Sequence, residues 1–404
     1  MNEPILVDEA DRLDTDDVVL VPTNESFIPL SDPDITMAEI EAVEATLRSP
    51  LMSNGPMVEA FETAFAAYLG RKYAVAVPSG TLGLLLALKA CGIGAGDEVI
   101  ASPYSFREIT HAISIAGARP VFADIDYYSG TIAPVKVEAR ITGKTKAIVA
   151  GNTNGHPALW SELRDIADRH RLLLLEDSSE AIGSKYKGAL VGTFGDVSVF
   201  DFAQPFAMTC GEGGMVVTDN VDLAVAMRRH RSHRLDERAS VVVTSSPAHQ
   251  AVMSDVTAAL GLAQLKRIDE ILERRRLIEQ IYYSQVQSFE GIKDPYVGPD
   301  VSDVNWFLYQ VHLGTRFSKS SRDSIVEDMR VERVEAVAYS NPLHLQRHYF
   351  ELGYRRGDYL VTEKVSDRVV ALPFHVHLTA DQIAFIVATM KDASVNIGAG
   401  AAIY

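Results

Sequence analysis

The apolar residues of this chain recur with two different periods, which alternate along most of its length. Apolar positions spaced three or four apart between Pro56 and Gly70 predict a helix, and the short apolar run Tyr73–Val77 predicts a buried strand. Further strands are predicted at 99–101, 120–125, 147–150, 172–175, 197–200 and 215–217, and further helices at 35–47, 82–90, 106–116 and 159–170. Because strands that are apolar on both faces belong in a sheet covered on both sides, the pattern predicts an α/β fold with a mostly parallel sheet.

The pattern changes towards the C-terminus. A stripe of apolar residues from Val256 to Gln285 predicts one long connector helix, and the segment after it mixes a strand with amphipathic helices. Residues 1–30 form an acidic arm with one β-like patch, Val18–Val21. We therefore expect an N-terminal arm (1–30), a large domain (31–255), and a connector helix with a small C-terminal α+β domain (256–404).

Composition narrows the classes of partner. The net charge of -16 over 404 residues argues against a nucleic-acid-binding protein, because no basic stripe is present to neutralise phosphates. Cys91 and Cys210 form neither a disulfide framework nor a metal-ligand pattern, so no metal site is predicted. The apolar run Leu82–Leu88 is too short to span a bilayer, and the acidic N-terminus is no signal peptide. We expect a cytoplasmic protein with neither nucleic acid nor membrane as partner.

Three polar loops follow predicted strands, at the edge where open α/β sheets bind ligands. Ser79-Gly80-Thr81 leads into a helix, whose free N–H groups suit a phosphate, although the same tripeptide also forms an ordinary turn and helix cap. In the loop Glu176–Glu180, Asp177 can neutralise a protonated ring nitrogen, but a lone Asp is more often a cap or a solvated side chain. The glycines of Cys210–Gly214 permit close backbone approach, or simply form a turn.

Taken in order, these loops resemble the DegT/DnrJ/EryC1/StrS family of sugar aminotransferases over about residues 30–390. The matching segments are Gly55-Pro56, FETAFAAYLG (61–70), AVAVPSGT (74–81), GAGDEV (94–99), AGARPVFADID (116–126), EDSSEAIG (176–183), GDVSV (195–199), GEGGMVVTD (211–219), AALGLAQLKRID (258–269), PLHL (342–345) and LPFHVHL (372–378). The resemblance implies the aspartate-aminotransferase fold (fold type I), a pyridoxal phosphate cofactor, and a homodimer with active sites at its interface.

The same resemblance implies roles for particular residues. Ser79, Gly80 and Thr81 would lie at the cofactor phosphate. Phe106 would stack on the pyridine ring, Asp177 would pair with the ring nitrogen, and Glu180 would lie at the phenolic oxygen.

The resemblance fails at the residue that anchors the cofactor. The family has a lysine five positions before the first glycine of GEGG, and this chain has Phe206 there. Phenylalanine has no titratable group, so it can neither form a Schiff base nor move a proton. Loss of such a proton carrier typically costs about 10²-fold to 10⁴-fold in rate. No lysine lies between Lys187 and Gly211, so no local realignment restores one.

Two further departures affect the phosphate end of the same pocket. The family's serine five positions before the lysine corresponds to Asp201, whose charge would oppose a phosphate by roughly 4 kcal/mol per unit charge product at about 4 Å. The family's Asn that reaches across the dimer to the phosphate corresponds to Gln250, which has a longer side chain. We therefore expect pyridoxal or pyridoxamine phosphate to be bound noncovalently, if at all.

These observations leave three functions open. The first is an enzyme acting on a sugar, nucleotide-sugar or aminocyclitol without ordinary transamination, in which His156, in the loop after strand 147–150, is a candidate for substrate contact. The second is a catalytically silent paralogue that acts as partner or regulator of an active aminotransferase. The third, an ordinary pyridoxal-phosphate-dependent sugar aminotransferase, conflicts with Phe206.

Overall fold

A central seven-stranded sheet organises the larger part of the molecule. The computed structural model describes residues 27–105, 110–203, 205–232, 247–287 and 292–397. The strands of this sheet are β1 (Tyr73–Val77), β2 (Glu98–Ala101), β3 (Arg119–Phe122), β4 (Thr145–Gly151), β5 (Leu173–Asp177), β8 (Val197–Asp201) and β9 (Gly214–Thr218). Their order is β1-β9-β8-β5-β4-β2-β3, and every neighbouring pair is parallel except the two that involve β9. The predicted mostly parallel α/β sheet is confirmed.

Seven α-helices belong to the described N-terminal part of the chain. They are α1 (Met37–Leu47), α2 (Pro56–Leu69), α3 (Gly80–Ala90), α4 (His111–Ile115), α5 (Pro134–Glu138), α6 (Trp160–His170) and α7 (Val221–Arg231). Four of them, α3 to α6, connect successive strands of this sheet. Pro56 occupies the first turn of α2, where a missing N–H costs nothing, and Gly70 ends the helix. The N-terminus of α1 is closed by a capping box between Thr36 and Glu39.

Both faces of the sheet are buried, which explains why its strands read as continuous apolar runs. In β1, Val75 and Val77 pack with α3 on one face, while Ala74 and Ala76 pack with α2 on the other. Farther along the sheet, α6 covers the second face through Trp160 and its neighbours. Helices on both faces leave only the strand ends open, and the candidate site lies at one of these ends.

The C-terminal part has its own sheet and core. Two helices, α8 (Asp255–Lys266) and α9 (Ile268–Val286), lead into it, followed by β10 (Ile292–Lys293), β11 (Val301–Asp303), β12 (Tyr309–Leu313), α10 (Lys319–Val331), β13 (Val337–Ala338), α11 (Arg347–Glu351), α12 (Leu360–Ser366), β14 (Val369–Leu372) and α13 (Ala380–Asn396). The antiparallel order β10-β12-β14-β13 forms a sheet on which α10 and α13 pack. A third small sheet pairs β11 with the hairpin β6 (Lys185–Tyr186) and β7 (Ala189–Leu190), and so ties this part to the larger one.

Three features differ from the sequence patterns. The predicted connector helix is two helices, because the backbone of Arg267 leaves the helical conformation between them. The predicted α1 is present, but the side chains of Ile40 and Leu47 on its apolar face are exposed. The helix α7 was not predicted, because four basic residues in its last turn hide its short apolar stripe. The β-like patch Val18–Val21 lies outside the described residues.

Within the described ranges, no helix combines the length and the apolar character that a bilayer crossing requires.

Candidate active site

Loops from four strands meet at the carboxyl edge of the large sheet. Gly80 follows β1, Asn152 follows β4, and Asp177 and Asp201 close β5 and β8. Since β4, β5 and β8 are neighbours in the sheet, their loops lie side by side. The first strand reaches the same place because β9 joins it to β8. The polar loops singled out in the sequence are therefore brought together at the edge where open α/β sheets bind ligands.

The N-terminus of α3 is already paired with a carboxyl group of the chain. The backbone N–H of Gly80 donates to Oδ2 of Asp201 at 2.8 Å, and the N–H of Ala203 donates to Oδ1 at 2.9 Å. The Oγ atom of Ser79 caps the same helix by accepting from the N–H of Leu82 at 3.3 Å. Asp201 is only 5% exposed. One carboxyl oxygen of Asp201 thus uses an N–H group at the start of α3 that a bound anion could otherwise take.

Gly214 explains how two distant segments fit at this helix end. A Cβ atom on Gly214 would lie 2.7 Å from the backbone carbon of Ser79 and 2.8 Å from the nitrogen of Gly80. Only glycine therefore allows the start of β9 to press against the turn that begins α3. The sequence interpretation of the glycine loop as a place of close backbone approach holds at this position.

Asp177 carries a carboxyl group with few partners. Oδ1 accepts from the backbone N–H and the hydroxyl of Ser179, at 3.1 and 2.7 Å. Burial raises the pKa of Asp177 to about 7, and the nearby carboxyls of Glu180 and Asp201 add to the rise while the two Ser179 bonds oppose it. This carboxyl group therefore exchanges its proton near neutral pH. Its role as the partner of a ring nitrogen stays a prediction.

Glu180 joins the site to the C-terminal part of the chain. Its Oε2 atom accepts from the backbone N–H of Asn154 and from the hydroxyl of Tyr339. The carbonyl of Asn154 in turn accepts from the N–H of Phe307 at 3.2 Å. Glu180 is 8% exposed, and Tyr339 is fully buried. Glu180, the residue predicted to lie at a phenolic oxygen, is thus held by the loop after β4 and by a tyrosine directly after β13.

Phe206 lies in an aromatic cluster beside these groups. Its ring centroid is 5.0 Å from that of Phe307, and it shares a buried cluster with Tyr104 and Tyr339. The side chain is 6% exposed. No lysine is among the described residues that line the cavity bounded by Asp177 and Glu180. The described part of the site therefore offers no amine for a covalent bond to a carbonyl.

His156 lies one loop away with both ring nitrogens engaged. Nδ1 bonds to the carbonyl of Pro157 at 2.8 Å, and Nε2 accepts from the backbone N–H of Gly298 at 3.0 Å. This pairing fixes a neutral tautomer that carries its proton on Nδ1. Burial lowers the pKa of His156, and its ring stacks on Tyr296 at 6.0 Å. The contact of His156 with a substrate stays a prediction.

Three predicted residues remain. Thr81 is half-buried in the first turn of α3, directly after Gly80. Gln250 is exposed with a positive φ of 50° in the segment before α8, and its role across a dimer stays a prediction. Phe106 lies outside the described residues, so its predicted stacking role stays a prediction.

Sequence reasoning missed two buried hydroxyl groups of the cavity. Tyr104 and Thr110 line it with Asp177 and Glu180, and no partner for either hydroxyl is found among the described residues. Burial, and then the charge of Glu180, raises the pKa of Tyr104 well above its usual value, so its hydroxyl keeps its proton. Tyr104 ends the segment Ser102-Pro103-Tyr104 directly after β2, and this position was the signal that could have identified it.

Comparison with known proteins decides the family. The model of the DegT/DnrJ/EryC1/StrS aminotransferase family matches residues 33–391. The chain belongs to this family. Among its relatives, the spore coat polysaccharide biosynthesis protein SpsC of Bacillus subtilis is 35% identical over 92% of this chain and 98% of that protein. The uncharacterized protein MJ1066 of Methanocaldococcus jannaschii is 34% identical over 91% of this chain and 97% of its own length.

Solved structures of aminotransferases have the same fold. The Helicobacter pylori aminotransferase PseC, involved in the biosynthesis of pseudoaminic acid, matches with a TM-score of 0.84 at 26% identity, over 92% of this chain and 100% of PseC. Spr1654 of Streptococcus pneumoniae in its PMP-form matches with a TM-score of 0.85 at 26% identity, over 92% of this chain and 100% of Spr1654. The predicted family and the predicted fold type are both confirmed.

The residues of this DegT-family chain fit a pyridoxal-type cofactor only at one end. Asp177 is a buried carboxyl group that can receive a ring N–H. At the other two ends the fit fails, because Phe206 offers no amine and Asp201 occupies the N–H of Gly80. The described part of the site thus offers a partner for a ring nitrogen, no amine at position 206, and one helix N–H already paired with a carboxyl group.

Proposed function

We propose that this protein is a sugar-directed member of the DegT family that works without a covalently anchored cofactor. Its substrate would be a sugar, nucleotide-sugar or aminocyclitol in a biosynthetic pathway of the reducing cytoplasm. Membership of a family of sugar aminotransferases supports the substrate class. One observation carries the departure from transamination, namely Phe206, which is buried against Phe307 at the position where the family resemblance expects a lysine.

The side chains beside Phe206 define what the site can do without that lysine. Asp177 has a pKa of about 7 and can therefore give or take a proton at neutral pH. Tyr104 holds a protonated hydroxyl that can donate a hydrogen bond to a substrate oxygen. Both groups line one cavity, so a proton on Asp177 and a donor on Tyr104 would face the same ligand. Pyridoxal or pyridoxamine phosphate, where it binds, would be held noncovalently.

A homodimer is part of this proposal. Five apolar side chains near the start of the described chain are about half exposed, which is unusual for so short a segment. They are Met37, Ile40, Leu47, Leu51 and Met52. A second copy packed on this surface would bury them. The alternative is that a lysine-bearing paralogue packs on this surface and that this protein is its catalytically silent partner. Co-purification with such an enzyme would favour the alternative.

Spectral titration tests the proposal. Pyridoxal phosphate added to the purified protein should give no Schiff-base absorbance band that borohydride fixes. The matched variant is Phe206→Lys, in which an amine replaces the ring at the same backbone position. A fixed band in the wild-type protein at stoichiometric cofactor would contradict the proposal, whether or not the variant gains one.

An ordinary pyridoxal-phosphate-dependent sugar aminotransferase is the second candidate function. The specific observation in its favour is the likeness to proteins such as PseC and to the PMP-form of Spr1654 over nearly the whole chain. It requires a lysine from outside the described cavity lining to reach the cofactor. The same borohydride experiment decides between the two functions, since only this candidate gives a covalent adduct.

A further inference from the structure

The carboxyl group of Asp201 lies at the helix end where phosphate-binding proteins of this architecture hold their anion. We propose that Asp201 is a built-in replacement for that anion, so that the site rejects a phosphate and selects ligands that carry none at this end. This inference rests on the proposed function and deepens it, because it names a property of the ligand.

The hydrogen bonds at this helix end support the replacement. A phosphate bound at the start of a helix takes its hydrogen bonds from the free N–H groups of the first turn. In this chain the first of those groups, on Gly80, already donates to Asp201 at 2.8 Å. The Ser79 hydroxyl accepts from Leu82 at 3.3 Å and so serves as the helix cap. Two of the first-turn N–H groups that could recognise an anion, those of Gly80 and Leu82, are therefore directed to partners within the chain.

The position of Asp201 is fixed from both sides. Its second oxygen accepts from the N–H of Ala203 at 2.9 Å, so the carboxyl group bridges the end of β8 and the start of α3. The residue is 5% exposed, and Gly214 packs against the same turn without room for a Cβ atom. A side chain held in this way cannot swing aside without leaving two backbone N–H groups unpaired in a buried place.

Charge also disfavours a phosphate at the start of α3. The carboxyl groups of Glu180 and Asp201 lie near enough to Asp177 to add to the rise of its pKa, which burial causes first. A phosphate dianion at the start of α3 would be repelled by the negative charge of the buried carboxyl groups, because little solvent is present there to screen that charge. The positive end of the α3 dipole, which would favour a bound anion, already interacts with the Asp201 carboxyl group. Ligands with a neutral or cationic group at this end suit the site instead.

Paired ligands that differ only in the phosphate test this proposal. Calorimetry would measure the Kd of pyridoxamine and of pyridoxamine phosphate, neither of which forms a Schiff base with an amine. For the wild-type protein, we expect the phosphate to give no gain in affinity. In Asp201→Ser, which frees the Gly80 N–H and removes the charge, pyridoxamine phosphate should bind at least tenfold more tightly than to wild type, with pyridoxamine changed less than threefold.

Controls keep folding effects apart from the phosphate effect. Asp97→Ser removes a carboxyl group that accepts from the N–H of Gly94 at 3.0 Å, remote from the site, and should leave both affinities unchanged. Asp201→Asn keeps the side-chain shape and should give a smaller gain in the same direction. Thermal shift with inorganic phosphate provides a second readout, with stabilisation expected in Asp201→Ser but not in the wild-type protein or in Asp97→Ser.

Two results would overturn the inference. One is a wild-type protein that binds pyridoxamine phosphate tenfold or more tightly than pyridoxamine. The other is a folded Asp201→Ser variant that gains neither affinity for the phosphate form nor stabilisation by inorganic phosphate. Either result leaves the proposed function standing, because that function fails only on a borohydride-fixed adduct of the wild-type protein.

Discussion

At the scale of single residues, Asp177 makes stability depend on pH. Burial raises its pKa from 3.8 to about 7, so the folded protein holds a proton that the unfolded chain has lost between these two values. Since the folded state binds more protons than the unfolded state in this pH range, rising pH stabilises the unfolded state relative to the folded state. The free energy of unfolding therefore falls by about 1.4 kcal/mol per pH unit between the two pKa values. Above pH 7 both states are ionised and the contribution is constant.

We therefore expect Asp177→Asn to be stabilised relative to wild type by roughly 1 to 3 kcal/mol more at pH 8 than at pH 5, since the amide never ionises. Urea unfolding at the two pH values measures this difference. The control Asp165→Asn removes an exposed carboxyl group on α6 and should show no comparable pH dependence. A stability difference between Asp177→Asn and wild type that is the same at both pH values would contradict the assignment.

At the scale of one element, the start of α3 depends on two side chains with separate tasks. Ser79 caps the helix through Leu82, and Asp201 pairs with Gly80. We expect Ser79→Ala to lower the free energy of unfolding by about 1 kcal/mol, because one first-turn N–H loses its partner. Ser324→Ala, on the exposed surface of α10, is the matched control and should cost nothing, since alanine favours helix. Equal effects of the two substitutions in urea unfolding would show that Asp201 alone holds the helix end.

The helix itself could be predicted from sequence, whereas its pairing with Asp201 could not. Apolar spacing and the Ser-Gly turn locate α3 to within two residues of its observed start. The partner carboxyl lies 121 positions away and follows no periodicity, so only the folded sheet brings it to Gly80. The same reason explains why Tyr339, which reaches Glu180 from 159 positions away, was missed.

At the scale of the whole molecule, the two parts of the chain meet at Gly155. Its φ is +94°, and a Cβ atom would lie 2.2 Å from the carbonyl oxygen of Asn305. We expect Gly155→Ala to lower the free energy of unfolding by about 3 kcal/mol, because backbone strain and overpacking add together. Gly143→Ala, with open space around it and no positive φ, should change stability by less than about 0.5 kcal/mol. Similar denaturation midpoints for the two variants would contradict this close contact between the parts.

The large sheet also shows where sequence patterns stop being informative. The bounds of β1 were predicted from its apolar run alone, because a strand buried on both faces has a distinctive composition. The antiparallel insertion of β9 between β1 and β8 was not predictable, since strand order depends on pairing between distant segments. The exposure of Ile40 and Leu47 on α1 could not be predicted either, because an apolar stripe does not show whether its own chain or another molecule covers it.

The central claim is that Phe206 leaves this family member without an amine for its cofactor. The most direct measurement is the intact mass of the wild-type protein after incubation with stoichiometric pyridoxal phosphate and reduction with borohydride, followed by peptide mapping. The account predicts an unmodified mass for the wild-type protein. A single stoichiometric phosphopyridoxyl adduct that maps to one lysine of the wild-type protein would contradict it.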